Sequence, residues 1–181
     1  MTNYHMMLDL ETFSTSKNAA IASIGAVLFD PLNPEDRSTF YAKVKPDSNE
    51  QYGLEISAST FVWWLKQSEE ARKAMSDETD ETPLAIALME LSLFYRSKYS
   101  DEPIPVWGNG VAADNIWVEN AYKKVGVEKP WSYREDRCFR TLRALFPDVQ
   151  HHDFTATAHN ALSDAIFQTD HLIKILKELK K

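Results

Sequence analysis

Apolar residues fall in short dense runs over the first 45 positions and return at helical spacing beyond position 57. Residues 4–10 read as a buried strand, and Ala20-Ile21-Ala22-Ser23-Ile24-Gly25-Ala26-Val27-Leu28-Phe29 as a second one ended by Asp30-Pro31. Gly25 inside that run marks a bulge or a close approach of backbone. A third strand, Thr39-Phe40-Tyr41-Ala42-Lys43-Val44-Lys45, follows a Pro/Asn/Asp-rich turn at 31–37, which gives an opening meander of three antiparallel strands. Helical patterning then takes over. Ser57 or Ser59 caps a helix carrying Phe61, Trp64 and Leu65, and Thr82-Pro83 starts another through Leu84, Ala87, Leu88, Leu91 and Tyr95. Ile104-Pro105-Val106-Trp107 is a short strand ended by Gly108-Asn109-Gly110; the helix after it holds Asp114, Ile116, Trp117, Asn120 and Ala121 and is closed by Gly126. A helix near Cys138–Phe146 stops at Pro147, and the last, Ala161–Leu179, is long, amphipathic and lysine-rich at its end, which complements the helix dipole. Strands first and mixed elements later predict an α/β domain with a mixed sheet, one domain over residues 1–181.

Asp9 and Glu11 lie two apart in the first strand, so alternation of side chains points both carboxylates to one face. The flanking Met6, Met7, Leu8 and Leu10 argue against an exposed strand. Two carboxylates held that close resist joint ionisation unless a cation lies between them, which favours a hard divalent metal with oxygen ligands. Asp114, early in a helix after a strand and a glycine turn, and Asp164, early in the last helix, could converge with them at one edge of the sheet. Four carboxylates suffice for two magnesium or manganese ions, a pair able to polarise a phosphodiester, acidify a water and stabilise the departing oxygen. His159 lies five residues before Asp164, with Asn160 as a plausible helix cap between them, which puts it on the loop above that ligand. Imidazoles titrate near neutrality and suit the role of general base.

Composition narrows the class. The 181 residues are 26% charged and 44% hydrophobic, ordinary for a globular protein, with no repeat of fixed period. No apolar run is long enough to span a bilayer, and the start of the chain lacks the pattern of an export signal, so a cytoplasmic location with no membrane partner is expected. The single Cys138 has no partner for a disulfide or a zinc site and reads as a small buried or half-buried hydrophobe. A balance of 20 Lys+Arg against 27 Asp+Glu, net -7, argues against coating long stretches of nucleic acid but allows a grip on a chain end. The charge is uneven. Glu69, Glu70, Asp77, Glu78, Asp80 and Glu81 crowd residues 69–81, whereas Lys123, Lys124, Lys129, Arg134, Arg137, Arg140 and Arg143 occupy 117–143, a region that faces either phosphates or solvent.

With these residues assembled, the chain resembles the DEDDh branch of the DnaQ-like 3′-5′ exonucleases, a family with the ribonuclease H-like fold. Asp9-Leu10-Glu11-Thr12 matches its first motif, Gly108-Asn109-Gly110 through Asp114-Asn115 its second, and His159 with Asp164 its third, over residues 4 to about 175. The resemblance implies a mixed sheet of three antiparallel strands followed by parallel ones, flanked by helices. It implies that Asp9, Glu11 and Asp164 hold a first Mg2+ or Mn2+, that Asp9 bridges to a second, and that Asp114 serves the second directly or through water. By the same resemblance His159 deprotonates the attacking water, and nucleoside 5′-monophosphates leave from the 3′ end of single-stranded RNA or DNA. Leu10, Thr12 and Phe13 would cradle or wedge the terminal nucleotide, with Trp64 and Asn109 as further substrate contacts. The segment Phe61-Val62-Trp63-Trp64-Leu65 and the compact length look most like small stand-alone enzymes of bacterial or phage origin, and a homodimer is plausible from such relatives.

Other readings remain open at this level. Trp63 and Trp64 are adjacent, so on a helix they point about 100° apart and only one can lie squarely in the core, leaving the other to a base or a subunit contact. Arg137, Arg140 and Arg143 recur every three residues and could share a helical face. His151-His152-Asp153 would suit a metal phosphohydrolase of the HD type, a class built almost wholly of helices, against which the β-rich first 45 residues speak. A binding module that kept the nuclease fold without its chemistry is the remaining alternative.

Overall fold

The computed structural model describes residues 3–76, 79–98, 102–151 and 159–180. Six strands form one mixed sheet: β1 (His5–Thr12), β2 (Ile21–Asp30), β3 (Asn33–Val44), β4 (Glu81–Thr82), β5 (Val106–Gly108) and β6 (Asp136–Cys138), in the spatial order β4-β3-β2-β1-β5-β6. β1, β2 and β3 pair antiparallel, and β1, β5 and β6 pair parallel. The helices are α1 (Pro46–Glu50), α2 (Ala58–Trp64), α3 (Glu69–Ser76), α4 (Leu84–Arg96), α5 (Ile116–Val125), α6 (Phe139–Leu145) and α7 (Ala161–Glu178), with a π-helical turn at Val111–Asn115 leading into α5. This is the architecture of a ribonuclease H-like fold.

Helices cover both faces, so β1 and β2 read as continuous apolar runs rather than alternating ones. On one face Met6, Leu8, Leu10, Ile24 and Leu28 pack with Leu84, Leu88, Leu91 and Tyr95 of α4 and Val118 and Tyr122 of α5. On the other, Met7, Val27, Phe29 and Trp107 pack with Phe139 of α6 and Leu172, Ile173 and Ile175 of α7. Each such fully buried aliphatic side chain contributes about 1.5–3 kcal/mol. Asp9 and Glu11 follow Met7 on that second face, because residues two apart share a side.

Three expectations change. The turn expected at 31–37 is only Pro31-Leu32, and β3 runs from Asn33 through Pro34. That part of β3 pairs with β2 alone and alternates between half-buried and exposed positions, so a missing proline N–H faces no strand there. The helix carrying Phe61 and Leu65 exists, capped by Ser57, whose Oγ accepts from Thr60 N at 3.1 Å, yet Phe61 and Leu65 are exposed and only Trp64 of that set is buried. Arg137 lies in β6 while Arg140 and Arg143 lie in α6, so the three do not share a helical face. Asp77, Glu78, His152 and Asp153 lie outside the described residues. The mixed sheet leaves no room for the all-helical HD architecture. Among the described residues, no helix is long and apolar enough to cross a membrane.

Candidate active site

Asp9 on β1 is in direct register with Gly25 on β2. A Cβ on Gly25 would stand 2.2 Å from the backbone carbon and oxygen of Ala161 and 2.4 Å from Leu162 N, so the first turn of α7 rests on the bare backbone of β2 beside Asp9. The sequence signal of a close approach is realised here without a bulge. Asn160 starts α7 by accepting from Ser163 N at 3.1 Å, which sets Asp164 in the first turn. One oxygen from each of Asp9, Glu11 and Asp164 then lies within 4.8 Å of the others.

Asp114 is held differently. Gly108 lets the π-helical turn fold back on β5, since a Cβ there would meet Asn115 Oδ1 at 2.2 Å. Asp114 in that turn is buried, and both of its oxygens accept backbone N–H groups, Oδ1 from Leu10 at 3.3 Å and Oδ2 from Gly110 at 3.1 Å. The structure thus brings Asp9, Glu11 and Asp164 into one cluster and anchors Asp114 to the backbone at its side.

All four carboxyl groups resist ionisation. Burial, then the charges of Asp114 and Glu11, push Asp9 well above its ordinary value. Burial, then Asp164 and Asp114, raise Glu11 to about 8. Burial raises Asp164, and it raises Asp114 to about 6 against the two backbone donors and Arg140, which hold it down. The site therefore concentrates hard oxygen donors with too little positive charge to match them, which is the condition a divalent cation relieves. The residues fit such an ion.

His159 adopts a left-handed backbone, φ 65°, and its N–H donates to Asp164 Oδ2 at 3.0 Å. Its ring stands edge-on to Trp63, centroids 4.9 Å apart, and to Trp64 at 6.0 Å. Trp64 is 5% exposed and its Nε1 donates to Thr12 O at 3.1 Å, so it fixes the end of β1 against α2; the indole left open, 44% exposed, is that of Trp63. Beside them lies a cavity of about 340 Å3 lined by Leu10, Glu11, Thr12, Trp63, Trp64 and Trp117. Phe13 lines a neighbouring slot with Tyr41, Lys43 and His159. Asn109 does not line that cavity: its carbonyl accepts from Arg140 N at 2.9 Å, and its buried side-chain oxygen has no partner among the described residues. Of the basic region, Lys123 pairs with Glu119, and Lys129 with Glu119 and Asp136, while Arg134, Arg137, Arg140 and Arg143 stay exposed.

Sequence reasoning missed two residues here. Trp117 lines the cavity although its helical spacing suggested only an element of α5. Gln168, one helical turn beyond Asp164, donates through Nε2 to Asp9 Oδ1 at 2.7 Å; the i, i+4 spacing from a metal-ligand candidate was the available signal.

The family model of the Rv2179c-like 3′-5′ exoribonuclease domain matches residues 4–176. The exodeoxyribonuclease of Enterobacteria phage T4 is 38% identical over 93 residues, 46% of this chain and 40% of that protein, so the likeness spans less than half of either. Among solved structures, the nuclease domain of 3′hExo, a DEDDh family member bound to rAMP, has a TM-score of 0.65 at 12% identity, covering 97% of this chain and 92% of that one. Exonuclease I of E. coli in complex with an oligonucleotide has a TM-score of 0.62 at 16% identity, over 98% of this chain and 41% of that one. At these identities the solved structures speak for the fold.

Proposed function

Because this chain belongs to the Rv2179c-like 3′-5′ exoribonuclease domain family, we propose that it removes nucleotides from the 3′ end of single-stranded nucleic acid as a divalent-metal-dependent exonuclease releasing nucleoside 5′-monophosphates. The observation that carries this reading is the cluster of buried Asp9 with half-buried Glu11 and Asp164, whose oxygens lie within 4.8 Å of one another with their charges unmatched. Asp9, Glu11 and Asp164 would hold one Mg2+ or Mn2+, with Asp9 and Asp114 serving a second. Bound there, the ions would supply Lewis-acid polarisation of the phosphodiester and neutralise charge on the departing oxygen.

The protein's own groups do the rest. The imidazole of His159 takes the proton of the attacking water, and the Asp164 carboxylate fixes the His159 backbone through the 3.0 Å N–H bond. The cavity bounded by Leu10, Thr12 and Trp117 receives the terminal base and sugar, and the open face of Trp63 offers it an apolar wall. Phe13, at the neighbouring slot, separates that nucleotide from the next.

Oligonucleotides labelled at the 5′ end, incubated with magnesium or manganese and then with EDTA, test the reading. A ladder shortening from the 3′ end only when metal is present is expected; metal-independent or absent cleavage overturns it. Family membership supports RNA as the substrate, and the phage relative keeps DNA as the second reading. Matched RNA and DNA strands in the same assay separate the two. Binding of both strands without turnover would instead favour a module that kept the fold alone.

A further inference from the structure

Gln168 is 6% exposed in the middle of α7, four residues after Asp164, where the helix crosses β1 and β2. Its Nε2 donates to Asp9 Oδ1 at 2.7 Å, while its Oε1, also buried, has no hydrogen-bond partner among the described residues. An orphaned buried carbonyl is a cost that leucine or methionine at this position would avoid, and Ala165 and Leu172, about one turn to either side on α7, belong to the apolar cluster of this face. Packing therefore does not account for an amide here. The donor does: among the described residues it is the side-chain hydrogen bond that reaches Asp9, the buried carboxylate of the three.

We propose that Gln168 is a positioning residue for the metal centre, its amide fixing the rotation of the Asp9 carboxylate so that Asp9, Glu11 and Asp164 present their oxygens to one ion. This rests on the metal-dependent reading above. A carboxylate turns freely about its last bond unless something holds one oxygen, and ligands held by such outer hydrogen bonds bind metal with less reorganisation. The orientation of the amide follows from the same chemistry: only the NH2 end can donate to an ionised Asp9, which turns the carbonyl end away from it. Asp164 and Gln168 thus act from one face of one helix, the first as ligand and the second as the brace of the opposing ligand.

Calorimetric titration of Mn2+ into metal-free protein, without substrate, tests this on the wild type, Gln168→Met and Gln168→Asn. The methionine keeps the shape and removes the donor; the asparagine keeps the amide but withdraws it by one methylene. Mn2+ affinity is expected to fall about 10–100-fold in both, with the half-saturating Mn2+ for turnover rising by the same factor and kcat recovering at saturating metal. A merely structural glutamine would lower the melting temperature and leave Mn2+ affinity alone. Either folded variant binding Mn2+ within about twofold of the wild type overturns the proposal, and if the methionine variant does not fold, the asparagine variant decides. A wild type that binds no Mn2+ at all overturns the metal reading itself, a different failure from variants that bind as well as the wild type does.

Discussion

The two faces of the sheet are closed by opposite physics. Under α4 and α5, the even-numbered residues Met6, Leu8 and Leu10 of β1 join one apolar cluster, and burial there lowers the free energy of the folded chain. Under α7, the odd-numbered Met7 begins the same way, but Asp9 and Glu11 continue it, and burial there raises the free energy of every ionised side chain. One strand thus turns apolar residues to one pair of helices and two carboxylates to α7. The first face carries the fold, and the second holds a repulsion that the proposed divalent cation would relieve.

That division is tested most severely at Asp164. Asp164→Asn should lower turnover of a 5′-labelled oligonucleotide more than about 10³-fold, while the metal-free protein melts no lower than the wild type because a repelling charge has gone. His159→Ala should reduce kcat by about 10²–10⁴-fold and leave calorimetric Mn2+ affinity unchanged, since no oxygen ligand is lost. On the other face the outcome inverts: Leu88→Ala, at a fully buried position of α4, should cost about 2–5 kcal/mol in denaturant unfolding and leave kcat intact below the transition.

The smallest effect is a pH dependence of the metal-free protein. Glu11 is raised from its ordinary 4.5 to about 8, so it binds a proton more tightly folded than unfolded; its contribution to stability is present at low pH and drains away as pH rises toward 8. His5, lowered from 6.5 to about 4 by burial and by the charge of Arg137, works in the opposite sense between those values. Above pH 6.5 the opposing contribution of His5 no longer changes. In EDTA the melting temperature should therefore fall between pH 6.5 and 8, Glu11→Gln should flatten that decline, and Mg2+ should reverse it.

What the sequence disclosed and what it hid divide along the range of the interactions. The strands β1 and β2, the cap at Ser57 and the long α7 are written in local patterns, and the structure returns them within a residue or two. The short β4 and β6 have no such pattern, because a strand of two or three residues exists only by pairing with a distant neighbour. The same holds in the site. Asp9, Glu11, Asp114, His159 and Asp164 announce themselves by spacing, whereas the tie of Asp114 to Leu10 N and that of Gln168 to Asp9 arise from folding partners 104 and 159 residues apart. The choice between Trp63 and Trp64 was undecidable from adjacency and was settled by the carbonyl of Thr12, which claims the indole N–H of Trp64.

The seat of α7 on Gly25 has a further consequence. A helix that slips by one residue advances about 1.5 Å and turns about 100°. Because Asp164 and Gln168 ride on the same helix, such a slip would move the proposed ligand and the proposed brace of Asp9 together. The bare backbone at Gly25 works as a keyway: it admits the helix in one rotational setting, and any side chain placed there would jam the key for both residues together.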